Sequence, residues 1–393
     1  MAGKLVVFLA LARFLGNAEV GTFGLIAVTV AYGTFITGME FYNYTVRDVA
    51  RSSHAQQASA ILNHISLVGS LQFMLSSGVL LAWGAGLLNF KFTLLTLALT
   101  VMEQWAQEGY RILVALSRPV LASVTLFLRQ GIWVFAVILG LFFFPNLRTL
   151  DFVLYCWICG VTISALVAGF AVFQDFGLSW DSRIDIQWIA RGLPVALVFF
   201  GAAFGLRTIN FLDRSFQAKL GSDASLAAYV LFFGLAISLI SVLDAGIFSF
   251  GLPKIIAAGR GSSHDLRREV KNLLKPTLVA TGIFICGGAV FFEFGLNLLG
   301  IGRYAEYGTI FYALIVSVTL QAWSMVPHFG LYALHREKLI MYGHLFALAL
   351  FVLFTLSWSG SPETAVAFAR AAAFAFLLAW KAFFFIFSVR KVS

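Results

Sequence analysis

Residues 14–23 read F-L-G-N-A-E-V-G-T-F, and residues 219–229 read K-L-G-S-D-A-S-L-A-A-Y. In both, a Leu-Gly pair leads into a long apolar run. Each run carries one acid deep in its second half, Glu40 in the first and Asp244 in the second. Each then exits into a basic loop holding Ser-Ser-His, at 52–54 and 262–264. The same landmarks recur in the same order, 205 residues apart at Leu-Gly and 210 apart at Ser-Ser-His. That order marks an internal repeat of two parallel halves.

The composition says where such halves sit. Of 393 residues, 60% are hydrophobic and only 11% are Asp, Glu, Lys or Arg, against roughly 25% charged in soluble chains. This excludes a secreted disulfide scaffold, a disordered tail and a cytosolic enzyme, and leaves no polar stretch long enough for a soluble catalytic domain. The apolar runs fall at 4–16, 21–45, 59–84, 92–116, 119–143, 151–174, 193–213, 225–251, 276–299, 308–331, 339–358 and 365–388. Backbone groups in lipid must be satisfied within the segment, so these runs read as helices. Their lengths exclude the ~10-residue strands of an outer-membrane barrel. The expected fold is all-α and integral to the membrane, with about twelve spans of ~20 residues. They form two pseudo-symmetric six-helix lobes, 1–176 and 177–393. The first run is short, ~20 Å against a ~30 Å hydrocarbon core. The native start is therefore expected upstream, or this span is partial.

The formal net charge is +9, from 27 Lys and Arg against 18 Asp and Glu. Sixteen of the cations fall in connectors on one side, among them Arg47, Arg51, Arg111, Arg118, Arg183, Arg267, Arg268 and Lys391. Six fall on the other side: Arg13, Lys91, Arg148, Arg214, Lys219 and Arg303. Positive residues stay cytoplasmic, so both termini are expected inside. The surplus is a topology signal and implies no nucleic-acid partner. The long connector 252–275 places Leu266, Val270, Leu273 and Leu274 opposite Arg267, Arg268 and Lys271, with Ser263 as a helix start. It reads either as a helix lying on anionic lipid or as a solvated charge run. Cys156 and Cys159 lie in an apolar run without a nearby His and read as buried packing residues.

A family likeness emerges from these residues. The string A-R-F-L-G-N-A-E-V-G-T-F-G-L at 12–25 resembles the A-R-x-L-G-x-x-E-x-G-x-x-x-L opening of Wzx-type polysaccharide-unit flippases. These are polysaccharide biosynthesis proteins of the MATE-like multidrug/oligosaccharidyl-lipid/polysaccharide exporter superfamily. The stretch 206–229, L-R-T-I-N-F-L-D-R-S-F-Q-A-K-L-G-S-D-A-S-L-A-A-Y, is similar to that family's Asp-bearing helix, and L-P-K-I-I-A-A at 252–258 to its Pro-led helix exit. The chain departs from the pattern in its short first span and in Ser225-Leu226-Ala227-Ala228, where the family often has Gly before Tyr. The resemblance implies a MATE-like, two-lobed bundle with a central cavity in the bacterial inner membrane. It implies alternating-access flipping of an undecaprenyl-diphosphate-linked oligosaccharide for O-antigen, capsule or exopolysaccharide synthesis. The implied partners are that lipid-linked oligosaccharide, membrane lipids, a polysaccharide polymerase and a chain-length regulator.

Charges inside spans are costly and so point to function. Arg207, Asn210 and Asp213 share one face of the seventh span. Arg207 is a candidate for diphosphate, which a guanidinium binds bidentately. Asp213 would orient it, bind sugar hydroxyls, take a proton or form a structural pair. Arg129 of the fifth span has no local acid, and Glu103 of the fourth is its candidate partner. Either the two lock helices together or Arg129 meets substrate. Glu40, Asp244 and Glu103 are candidates for ion coupling, and Arg47 for substrate capture. His328 shares a face with Gln321 and Ser324, either as a proton relay or as a satisfied bundle histidine. Gly201 and Gly205 form a G-x-x-x-G expected to pack helices within the chain.

Competing readings are a MATE-like cation-coupled drug antiporter, an integral-membrane polysaccharide polymerase or ligase, and a passive scaffold. Polymerases and ligases carry a large periplasmic loop, whereas no outside connector here exceeds about a dozen residues. A scaffold would not need Arg207 and Arg129 inside spans. No metal motif, phosphate loop or nucleophile elbow appears, so the expectation is neither an enzyme nor a cofactor protein.

Overall fold

The computed structural model describes residues 2–88, 90–176 and 184–390, except for the side chains of 2–5 and 55. The sequence readings of Arg183, Lys391 and the lobe boundary after 176 fall outside the described residues. In order, the helices are α1 (Ala2–Phe14), α2 (Asn17–Gly38), α3 (Tyr42–Val49), α4 (His54–Gly84), α5 (Thr93–Ala115), α6 (Pro119–Phe127), α7 (Trp133–Phe143) and α8 (Leu150–Phe176). They continue as α9 (Ile186–Leu220), α10 (Asp223–Leu243), α11 (Ser249–Ala258), α12 (Ser263–Val290), α13 (Leu296–Leu298), α14 (Gly308–Ala333), α15 (Glu337–Ser357) and α16 (Pro362–Arg390). No strand occurs among the described residues.

Ten of the helical stretches are long and apolar enough to cross a membrane. The other two expected spans are α5 and α1. α5 has 23 residues but carries Glu103, Glu108 and Arg111, and α1 has 13 residues. The surface matches the composition. Phe73, Leu81, Val120, Phe143, Ile283 and Leu298 are each more than two thirds exposed, whereas Asp213, Arg370 and Lys381 are wholly buried. Apolar outside and charged inside is the pattern of a chain solvated by lipid.

Local chemistry sets the helix ends. Both Leu-Gly pairs close a helix: α1 ends beside Leu15-Gly16 and α9 at Leu220. The Gly16 amide then donates to Glu19 Oε2 at 3.2 Å, and the Ser225 amide to Ser222 Oγ at 3.2 Å, each starting the next helix. Both Ser-Ser-His strings also start a long helix. The Ser53 amide donates to Gln56 Oε1 at 3.0 Å, and the Asp265 amide to Ser262 Oγ at 3.1 Å. The cap of α12 is thus Ser262, one residue before the expected Ser263.

Three features differ from the sequence reading. The connector 252–275 holds no separate interfacial helix. α12 runs unbroken through Pro276, with Leu266, Val270 and Leu273 buried against the protein. Gly251 on α11 admits the Leu273 side chain, which a Cβ there would meet at 2.4 Å. Glu40 lies beyond the end of α2, in a turn where Met39 and Glu40 both take positive φ, 44° and 55°. Cys159 is exposed rather than packed, and Cys156 half-buried.

Contacts sort the chain into two compact units, Ile26–Gly201 and Met1–Leu25 with Ala202–Ser393. In the first, Phe41, Val49, Ile61, Leu113, Ala168 and Trp188 form a core shared by α3, α4, α5, α8 and the start of α9. In the second, α1 and the start of α2 lie against α10. A Cβ on Gly24 would meet Val230 at 2.2 Å, and one on Gly234 would meet Phe8 at 2.7 Å. Arg303 closes the end of α1, donating from Nη2 to the carbonyls of Ala12 and Leu15, both at 2.7 Å. A cation there satisfies orphan carbonyls at the negative helix end.

Candidate functional site

Charged side chains gather in the interior of each unit. In Ile26–Gly201 they line α5, whose Glu103, Gln104, Gln107, Glu108 and Arg111 recur at helical spacing. Glu108 is nearly inaccessible and three neighbours hold it. Arg111 Nη1 donates to Oε1 at 2.8 Å, and Gln104 Nε2 donates to the same oxygen at 2.9 Å. His64 Nε2 of α4 lies 3.0 Å from Oε2, and its Nδ1 lies 3.0 Å from the Thr45 hydroxyl of α3. The Thr37 hydroxyl of α2 lies 3.2 Å from Gln104 Oε1. Four helices thus converge on one carboxylate, and Arg111 covers the Tyr42 ring at 3.8 Å.

Arg129 reaches α5 from the opposite side. It lies in a π turn, Leu128–Ile132, that interrupts the span of α6 and α7. Its Nη2 sits 2.8 Å from Glu103 Oε1 and donates to Gln107 Oε1 at 2.7 Å. The partner offered by sequence is the one observed. The Thr125 carbonyl, just before the turn, accepts from Ser164 Oγ of α8 at 2.8 Å. Two more π turns, Asp244–Phe248 and Phe291–Gly295, break apolar spans, and they hold Asp244 and Glu293. Each of the three π turns among the described residues therefore carries an ionisable side chain. Such bulges are frequent at functional sites.

In the second unit the centre is Asp213 on α9. Its Oδ2 accepts from Arg370 Nη1 of α16 at 2.9 Å, and its Oδ1 from Arg214 Nη1 at 3.1 Å. Both guanidiniums also lie over the Phe233 ring of α10, Arg214 at 4.1 Å and Arg370 at 4.7 Å. Arg370 Nη2 donates to Gln321 Oε1 of α14 at 3.3 Å. Two cations against one carboxylate leave this buried centre with a net positive charge. Each ion is held by hydrogen bonds and ring faces, which compensate for lost hydration.

The remaining sequence candidates are dispersed. Arg207 is exposed on α9, two turns before Asp213. Asn210 gives its carbonyl to Arg214 Nη1 at 2.6 Å, and its buried Oδ1 has no partner. Arg47 is exposed on α3, with its guanidinium 5.3 Å from the Phe199 ring centre. Glu40 Oε2 accepts from Asn43 Nδ2 at 3.0 Å. Asp244 is exposed. His328 stacks on His344, and Gln321 on the same face serves Arg370. Gly205 lies against the backbone of His344, where a Cβ would fall 2.4 Å from its oxygen.

Sequence reasoning left out Arg370, Lys381, His64, Glu108 and His344. The last span does carry a signal, an Arg and a Lys eleven residues apart without a local acid. The argument that sought a partner for Arg129 applies equally to them.

No family profile matches this chain, and no curated protein matches it in sequence. Solved structures do. An inward-facing multidrug-resistance MATE family transporter of the MOP superfamily superposes with a TM-score of 0.80 at 13% identity, over 100% of this chain and 96% of that one. The fold is that of MATE transporters. A mutant of the MATE transporter VcmN of Vibrio cholerae gives 0.60 at 14% identity, covering 100% of this chain and 99% of its own. A MATE bound to MaD3S gives 0.60 at 10% identity, over 100% and 93%. The MATE fold thus spans the whole sequence, and α1 and α5 belong to it alongside the ten more apolar spans.

Proposed function

We propose that this chain is a secondary transporter that moves an undecaprenyl-diphosphate-linked oligosaccharide across the bacterial inner membrane by alternating access, with both termini cytoplasmic. Arg207 carries the reading. Its guanidinium is exposed well inside α9, a 35-residue helix apolar enough to cross a membrane. Facing hydrocarbon it would cost about 2.5–3.5 kcal/mol on insertion scales. Facing a wet path it costs little and offers a forked donor to phosphate oxygens. Sugar hydroxyls and a diphosphate lose their hydration in lipid, so a carrier must replace those hydrogen bonds. The MATE fold supports a transporter, and the likeness at 12–25 and 206–258 supports this substrate class.

Proteoliposomes holding a fluorescent lipid-diphosphate oligosaccharide, probed with a membrane-impermeant quencher, test this directly. The wild-type chain should bring the inner-leaflet pool within reach of the quencher, which protein-free vesicles leave protected. Arg207→Ala should slow translocation about tenfold, the loss of ~1.4 kcal/mol, and Arg207→Lys should recover part of it. No translocation by the wild type sinks the substrate class, and an unchanged Arg207→Ala rate sinks the role of Arg207.

A cation-coupled drug antiporter is the second reading. Asp244 favours it, as an exposed carboxylate inside an apolar span. Uptake of an amphiphilic cation that Asp244→Asn abolishes, without lipid translocation, would establish that alternative.

A further inference from the structure

Three nitrogen-bearing side chains carry unmatched polar atoms within the unit of Met1–Leu25 and Ala202–Ser393, and among the described residues no acid pairs with any of them. Lys381 of α16 is wholly buried, and its Nζ has no hydrogen-bond partner. His344 of α15 is buried, and its Nδ1 bonds the Ala202 carbonyl of α9. A carbonyl only accepts, so Nδ1 carries the ring proton and Nε2 is left as a bare acceptor. Nε2 has no partner. His328 of α14 stacks on His344 with centroids 6.0 Å apart and planes 9° apart, and its Nδ1 is also without a partner. Both rings feel the charge of Lys381.

The surroundings offer no counter-ion. Among the described residues no charged group acts on Lys381, whose ammonium has only lost its hydration to burial. Asp213, the buried acid of this unit, is engaged by Arg370 and Arg214. Three positive charges cannot coexist in such a place, and three neutral nitrogens leave polar atoms unmet. A single proton, carried by the lysine or by one of the rings, resolves both problems. A proton also needs no cavity, whereas an anion would.

We propose that Lys381, His344 and His328 form a proton-binding site that takes up and releases one proton. His328, half-buried, is the member with surface through which the proton enters. Occupancy reaches α9 through the His344–Ala202 bond, where Gly205 lets the two helices lie backbone to backbone. It reaches α14 at Pro327, which gives no N–H to the carbonyl of Trp323 and so leaves that helix able to bend. Only the use of this proton to drive substrate rests on the transporter reading. Proton binding itself does not.

The test uses full-length chain labelled with 15N-histidine in lipid nanodiscs, with the two rings assigned from His328→Gln and His344→Gln. Signals from these rings should titrate between about pH 5 and 9. Lys381→Met, close in size and unchargeable, should displace the midpoint by about one pH unit or more. Lys381→Arg, permanently charged, should hold both rings neutral throughout and covers the case in which the Met variant does not fold. Ring signals indifferent to both substitutions overturn the proposal. In proteoliposomes, a pH gradient should drive lipid-linked oligosaccharide in the wild type and not in Lys381→Met, whose gradient-free exchange persists. If the wild type moves no such lipid while the rings still titrate with Lys381, the substrate reading falls and the proton site stands.

Discussion

Replacing Arg370 with Met removes one side of a pair in which neither partner touches solvent. Arg370 and Asp213 are both 0% exposed, at a separation of 2.9 Å. Loss of the guanidinium strands Asp213 Oδ2 and leaves only Arg214 at 3.1 Å on Oδ1. It also strands the Gln321 amide oxygen, removes the cation from over Phe374 and leaves only Arg214 over Phe233. Breaking a buried pair typically costs about 3–5 kcal/mol. The surviving Arg214 contact places this case at the lower end, about 3 kcal/mol. Asp213→Asn alone should cost a similar amount, because two guanidiniums then face each other without a carboxylate. The double variant Asp213→Asn/Arg370→Met removes the imbalance and should be more stable than the sum of the singles by about 2 kcal/mol. Unfolding by SDS titration in mixed micelles, followed by near-UV circular dichroism, measures all four corners of the cycle. An Arg370→Met chain within about 0.5 kcal/mol of wild type, or singles that simply add, would refute the assignment of Asp213–Arg370 as the lock of this unit.

Glycines and caps supply sharper contrasts. Gly205→Val should lower the melting temperature markedly, because a Cβ there meets the His344 backbone at 2.4 Å, whereas Gly78→Ala, with nothing within 4 Å, should be neutral or slightly stabilising in the same differential scanning fluorimetry. Arg303→Gln should leave the carbonyls of Ala12 and Leu15 unmet, cost about 1 kcal/mol and speed limited proteolysis near residue 15.

Span positions were readable because lipid admits few structures. The run expected at 92–116 is the helix Thr93–Ala115, and that at 308–331 lies within Gly308–Ala333. The pairing of Arg129 with Glu103 was readable for a related reason: an intramembrane Arg demands an acid, and few were on offer. Asp213 was different. Periodicity shows which face a residue occupies but not which distant helix lies opposite, and Arg370 comes 157 residues later. Glu40 was misplaced because Met39 and Glu40 turn the chain without the Gly, Asn or Asp that ordinarily signal positive φ. α12 was divided in sequence at Pro276, yet a membrane helix tolerates an internal proline when neighbours re-satisfy the freed carbonyl. The π turns left no mark in composition at all.

The bonds from Arg303 to Ala12 and Leu15 have a consequence in time. They join residues 291 and 288 positions apart. Synthesis at about 5–20 residues per second separates the two partners by some 15–60 s. The surface of α10 on which α1 packs also emerges more than 200 residues after it. α1 and the first turns of α2 are therefore made long before the residues that complete them. During that interval Ile26–Gly201 can assemble, while α1 waits in the bilayer with its last carbonyls uncapped. A nascent chain stalled before residue 303 should thus expose α1 to chaperones or proteases, and release should protect it.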